Sequence, residues 1–161
     1  MSEAAVREAL ARLGIQHQVI EIDPDYADTE AFGARYGYPL ENSGNTIIVA
    51  SRRGPKVYCA CLVQADRRLD VNHRVRELTG ARRLSFASAE ETRELTGMMI
   101  GGVTVFGLPS ELPLYLDAPI MGLEYVIVGG GSRSVKLSVA PAELTKIPGA
   151  QVVERLTLAV D

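Results

Sequence analysis

The chain of 161 residues carries 17 Lys and Arg against 20 Asp and Glu, a net charge of −3, and is 47% apolar. That length and apolar share suit one ordinary domain with a packed core, so residues 1–161 are read as a single domain. No apolar run reaches the roughly 18–20 residues of a bilayer span, and Met-Ser-Glu-Ala-Ala lacks the basic start and apolar stretch of a signal peptide; a cytoplasmic protein with no membrane partner is expected.

Ser2 suits the cap of a helix over Glu3–Leu13, with Val6, Leu10 and Leu13 on one face and Gly14 ending it. His17–Ile22 alternates as a strand does. Asp23-Pro24-Asp25 is a turn. Asp28 or Thr29 starts a short helix that Gly37 stops. The whole stretch from Asp23 to Gly44 is long and only partly regular, as segments that cover a site often are, and as plain connections also are. Thr46–Ala50 is a β-branched strand, turned by Ser51-Arg52-Arg53-Gly54-Pro55 and returned by Lys56–Val63. Gln64–Asp70 reads as a loop, and Asp70 as the cap of a helix over Val71–Leu78. Arg83–Phe86 is a brief strand. Ser88-Ala-Glu-Glu91 fits a capping box, so a helix starts there and stops at Gly97. Leu114–Asp117, Tyr125–Val128 and Val135–Val139 are further strands. Pro141 opens a last helix over Ala142–Ile147, and Gln151–Val160 returns as an edge strand. Strands and helices mix without a βαβ rhythm. The expected fold is α/β (α+β), with a mixed, mostly antiparallel, curved or barrel-like sheet and surrounding helices.

Two glycine segments stand out. Thr96–Gly107 holds four of the fifteen glycines, and Gly101-Gly102 within it allow a sharp turn or the close approach of another molecule. Bare of side chains, their N–H groups suit an anion or a carbonyl oxygen. Gly129-Gly130-Gly131-Ser132-Arg133 follows a strand, and is either a tight turn or a ligand cradle. It lacks the Gly-Lys-Ser/Thr of a P-loop. No Ser-His-Asp, Cys-His or paired-carboxylate arrangement is evident. Cys59 and Cys61 fall on one face of a strand and read as small buried side chains; a lone C-x-C is a poor zinc signal. His17 and His73 have no ligand partners at metal spacing. No metal or organic cofactor is expected.

Charge is unevenly distributed. Residues 52–83 hold nine bases (Arg52, Arg53, Lys56, Arg67, Arg68, Arg74, Arg76, Arg82, Arg83) against three acids, Asp66, Asp70 and Glu77. The segment is therefore +6 and the remainder −9. It is either a solvated arginine-rich face or a phosphate footprint, which is local whatever the total charge.

The patterns T-G-x-x-x-G-G-V-T-x-F-G and V-G-G-G-S-R-S-x-K-L resemble the YbaK / prolyl-tRNA-synthetase-associated domain family. The hairpin at Thr46, Ala65-Asp66-Arg-Arg-Leu-Asp70 and Ala140-Pro-Ala-Glu-Leu144 fall in the family's order. The resemblance implies that family's fold and a free-standing deacylase that hydrolyses the ester of a mischarged small amino acid on tRNA, of a proline-type or related tRNA. Its partners are then aminoacyl-tRNA and an aminoacyl-tRNA synthetase, with no DNA expected. Water attacks, aided by the substrate's own ribose hydroxyl, so no protein nucleophile is required. The backbone amides of Gly101, Gly102 and Val103 are the candidate oxyanion donors, and one such donor is worth about 3 kcal/mol. Thr46, Ile100, Val103 and Thr104 would line the amino-acid pocket, with Gly129, Gly130, Gly131, Ser132 and Arg133 on the substrate. Arg52, Arg53, Arg67 and Arg68 would meet tRNA phosphates.

Three departures matter. Relatives carry a lysine where this chain has Asn45, some carry an acid where it has Lys136, and the family's serine-proline is Thr104-Val105 here. Either the cation has moved across the pocket to Lys136, or Lys136 faces solvent from an alternating strand. Arg133 is a second cation, or a surface ion pair. The alternative function is a catalytically weak or inactive module that binds tRNA or an aminoacyl end, because the family lysine is Asn45.

Overall fold

A computed structural model describes residues 2–160. Its centre is the hairpin of β2 (Gly44–Ser51) and β3 (Tyr58–Gln64), in which Thr46 lies opposite Leu62 and Val49 opposite Cys59. β5 (Leu84–Phe86) pairs antiparallel with the second half of β2. On the other side β6 (Leu114–Asp117) runs parallel to β3, and β9 (Ala150–Val153) parallel to β6. The order is β5-β2-β3-β6-β9.

A second antiparallel sheet is ordered β1 (Gln18–Glu21), β8 (Val135–Val139), β7 (Val126–Gly129). β4 (Arg67–Leu69) and β10 (Thr157–Ala159) make a third, two-stranded one. The fold is thus a mixed, mostly antiparallel α/β domain, as expected. Among the described residues it is built of three sheets, with no closed barrel.

Period-two alternation sends the two faces of the central sheet into two cores. Ile48, Ala60, Leu62, Leu114 and Leu116 pack with Val126, Val128, Leu137 and Val139 of the second sheet and with Val6 and Leu10 of α1 (Ser2–Leu13). The Ser2 side chain, expected as the cap of α1, lies outside what is described. On the opposite face Val49, Cys59, Cys61 and Val63 pack with Val75, Tyr115 and Leu156; both cysteines are buried and unbridged. A third cluster gathers Ile22, Ala27 and Ile127 around Phe32 of α2 (Thr29–Tyr36), and Tyr38 stacks on Phe32 at 5.2 Å. Each fully buried large apolar side chain contributes roughly 1.5–3 kcal/mol. This third cluster therefore anchors the segment after Asp23 rather than leaving it loose.

α4 (Ala89–Thr96) starts on a complete capping box: Glu91 N–H donates to Ser88 Oγ at 3.0 Å, and Ser88 N–H to Glu91 Oε1 at 2.9 Å. Gly97 ends it at φ +74°. Asp70 does not cap; its carboxylate meets His73 Nδ1 at 3.1 Å. The helix after it opens as a π turn, Val71–Val75, before α3 (Arg76–Thr79). The stretch Gln64–Asp70, expected as a loop, contains β4. The expected final strand is two, β9 and β10, separated by a turn where Arg155 takes φ +61°. The last helix is short, α5 (Pro141–Leu144).

Candidate functional site

The two glycine segments meet. Gly131 N–H donates to Gly102 O at 2.8 Å. A Cβ on Gly129 would sit 2.2 Å from Val103 O, and one on Gly102 2.7 Å from the Ser132 backbone. Only glycine permits this contact of backbone on backbone. Beside it lies a cavity of about 240 Å³. Its walls are Gly44–Ile48 of β2, Asp28 and Thr29 at the start of α2, Phe86, Ala87 and Thr92, and Ile100, Gly101, Val103, Gly129 and Lys136. That volume lies below the range of whole-cofactor pockets, about 300–1,000 Å³, and suits a small acyl group.

Lys136 turns inward. It is 6% exposed, because β8 is covered on both faces: Leu137 and Val139 enter the main core while Lys136 points to the cavity. The solvent-facing alternative is therefore corrected. Its Nζ donates to Gly101 O at 3.3 Å and lies 5.7 Å from the Phe32 ring centroid. Burial lowers its pKa to about 8; Asp28 opposes that shift and Arg133 adds to it.

Arg133 is an internal clamp. Its guanidinium donates to Ile100 O at 3.0 Å, Pro24 O at 3.2 Å and Asp28 Oδ1 at 3.1 Å. It thereby ties the segment after Asp23 to the first glycine bend. Gly101, at φ +94°, packs against it: a Cβ there would lie 2.2 Å from Arg133 Nη1. Asn45 also lines the cavity, and its Oδ1 accepts from the Thr29 hydroxyl.

Several expected site residues stand elsewhere. Gly102 lies behind the cavity wall, and its N–H donates to Met99 O at 2.8 Å, so it is not a free oxyanion donor. The amides of Gly101 and Val103 have no partner among the described residues. Thr104 is fully buried in the core, outside the cavity, and its hydroxyl has no partner among the described residues. Gly130 N–H and Gly131 N–H are spent on Val135 O and Gly102 O. Ser132 donates to the Glu3 carboxylate. These four glycine-turn positions, Arg133 included, build the cradle and do not line it.

The arginines divide. Arg52 makes a two-pronged ion pair with Glu91, at 2.9 and 3.0 Å, and donates to Ser85 Oγ and Phe86 O. With Lys56 also 3.3 Å away, these donors hold the Glu91 carboxyl down to about 2. Arg67 donates to Thr157 Oγ1 at 2.6 Å, and Thr157 in turn to the buried Asp117 carboxylate. Both guanidiniums have partners within the chain, although Arg52 stays exposed. Arg53 and Arg68 are exposed with no ion pair among the described residues.

Asp28, Thr29, Gly44, Ile47, Ile48, Phe86, Ala87 and Thr92 of the wall were not among the expected site residues. For Asp28 and Thr29 the signal was the long, partly regular stretch from Asp23 to Gly44.

The aminoacyl-tRNA editing domain family matches over residues 23–147. YwhH of Bacillus subtilis, itself uncharacterised, is 30% identical, covering 94% of both chains. EbsC of Enterococcus faecalis, described as a candidate Cys-tRNA(Pro)/Cys-tRNA(Cys) deacylase, is 21% identical over 83% of this chain and 79% of its own. Among solved structures, a candidate trans-editing enzyme for prolyl-tRNA synthetase superposes with a TM-score of 0.81 at 30% identity, covering 95% of each chain. The hypothetical protein APE2540 superposes at 0.84, with 27% identity over 96% of this chain and 99% of that one. On the family match and the full-length relative, this chain belongs to the aminoacyl-tRNA editing domain family.

Proposed function

We propose that the protein is a free-standing deacylase that hydrolyses the ester of a small amino acid on tRNA. Family membership supports deacylase-type chemistry. The observation that carries the finer reading is the pair of amides, Gly101 and Val103, without partners among the described residues, at a cavity of acyl size. Water adds to the ester carbonyl carbon, the bond to the ribose oxygen breaks, and the proton that water gives up ends on that ribose hydroxyl. The charge that builds on the carbonyl oxygen meets the two amides, preorganised and shielded from bulk water.

Arg133 acts behind the Gly101 amide, and Lys136 sets a positive charge beside the same bend. Each donates to a carbonyl of the first glycine bend, Ile100 O and Gly101 O. In a trans peptide the C=O and N–H point in opposite directions. Arg133 on Ile100 O therefore orients, and polarises, the peptide whose N–H is Gly101's. Arg53 and Arg68 supply phosphate contacts, which weaken as salt rises.

The test is a panel of tRNAs charged with Ala, Cys, Ser and Thr, followed for ester loss. Turnover of one or more esters well above the spontaneous rate is expected. Binding without turnover across the panel favours the second reading, a binding module. The observation behind that reading is Asn45, uncharged and already bonded to Thr29. Gain of activity in Asn45→Lys then identifies the missing charge as the cause.

A further inference from the structure

β2 has a gap in its edge. Along a strand the backbone groups of successive residues point to alternate sides. Ser43 O accepts from Ala65 N–H and Ser51 N–H donates to Val57 O, so the odd residues of β2 face β3. Ile48 O accepts from Ala87 N–H at 2.8 Å and Arg52 N–H donates to Arg83 O, so the even residues face the β5 side. β5 and the residue after it cover that side from Ile48 onward. At the other end Ser43 bridges to Ile127 of β7. Thr46 lies between the two covers. Its N–H and C=O point outward with no partner among the described residues, and Thr46 lines the cavity.

We infer that the acyl group of the substrate is read as a single residue of β-strand laid against Thr46. This rests on the deacylase reading. In an antiparallel hydrogen-bonded pair, two facing residues exchange both N–H···O bonds. An α-aminoacyl ester carries the required pair: its α-amino group donates to Thr46 O, and its ester carbonyl accepts from Thr46 N–H. The second lone pair of that carbonyl is left for the glycine-bend amides. The α-nitrogen of the aminoacyl ester is thereby given a backbone partner, Thr46 O. Acyl esters without an α-nitrogen offer half of the pairing and leave Thr46 O unpaired in a half-buried wall.

The test has two arms. In the first, the wild-type protein is given alanyl-tRNA and propionyl-tRNA, which differ only by the amino group, each rate divided by its own spontaneous hydrolysis rate. A 10- to 100-fold lower normalised kcat/KM for propionyl-tRNA is expected, and equal normalised values overturn the inference. In the second, ¹⁵N-labelled protein is titrated with 3′-deoxy-3′-(L-alanylamino)adenosine, a non-hydrolysable probe, and with its propionylamino counterpart. The alanyl probe should bind tighter and slow hydrogen exchange at the Thr46 amide. An alanyl probe that binds no tighter than the propionyl one, or a Thr46 amide whose exchange is unchanged at saturation, overturns it. Absence of turnover in the first arm removes the deacylase reading alone, because the second arm reads binding and still decides the inference.

Discussion

Arg133 and Gly101 share one peptide group: the guanidinium holds the carbonyl of Ile100 at 3.0 Å, and the amide at the far end of that peptide is Gly101's. Arg133→Ala is expected to lower kcat about 10- to 100-fold with little change in KM, part of the 10²–10³ that loss of a whole oxyanion donor costs. Arg133→Lys should recover little, since one ammonium cannot reach Ile100, Pro24 and Asp28 together. Steady-state deacylation kinetics would decide; a rise in KM at constant kcat would instead mark Arg133 as an ordinary binding residue.

Lys136 predicts a pH profile. Its pKa in the fold is about 8, below the ordinary lysine value of 10.5. The charge present at neutral pH is therefore lost as pH rises through about 8. Deacylation, corrected for spontaneous ester hydrolysis, should fall on that limb, and Lys136→Arg should carry activity to higher pH. Thermal stability should move the other way: the unfolded chain binds the extra proton between pH 8 and 10.5, so this group adds stability as pH rises across that window. A profile flat from pH 7 to 9.5 would argue that Lys136 has no electrostatic part in the reaction.

Gly129→Ala tests the contact between the bends. Its Cβ would fall 2.2 Å from Val103 O, a backbone atom that has no rotamer to escape into. The bends must part, and losses of at least tenfold in activity are expected, with destabilisation of about 1–3 kcal/mol. Denaturant titration read alongside deacylation separates the two effects. Gly122→Ala, where an added Cβ meets nothing within 4 Å, is the control.

Thr104→Val should stabilise the protein. The hydroxyl is buried in the core without a partner among the described residues, and an unsatisfied buried polar group costs about 1–3 kcal/mol. A near-isosteric methyl removes that cost without opening a cavity. A variant less stable than wild type would mean that the hydroxyl is bonded in the folded protein.

Ser88 and Glu91 join the start of α4 to Arg52. Ser88→Ala should cost about 1 kcal/mol. Glu91 carries a pKa of about 2, so its contribution is present above the usual carboxylate value and lost as pH falls from about 4.5 through 2. The difference in melting temperature between wild type and Glu91→Gln should shrink across that interval. An unchanged difference at pH 2 would dissociate Glu91 from the clamp.

Local chemistry was legible in the sequence wherever one stretch of chain decides the outcome. Ser88 and Glu91 cap their helix because the partners are three residues apart. Gly97 and Gly37 stop helices because their own φ allows it. The meeting of Gly102 with Gly131 was not legible, since spacing alone brings no two distant turns together. Three residues of β4 are too few for periodicity to announce. Counting charge along residues 52–83 does not show that Arg52 and Arg67 already have partners within the fold. Alternation failed for Lys136 because β8 is buried on both faces, so inward and outward carry no label. Asp28 and Thr29 reach the cavity through tertiary contacts, the Phe32 cluster and the bonds to Arg133 and Asn45.

The break in the edge of β2 is short, bounded by β5 and by the bridge at Ser43. A bare strand edge ordinarily invites another chain to add itself, the first step toward aggregation. Here a neighbouring polypeptide finds only the few groups around Thr46 between two covered stretches, too few to hold a strand. The protein can thus leave backbone polar groups open to a monomeric ligand while withholding them from its own copies.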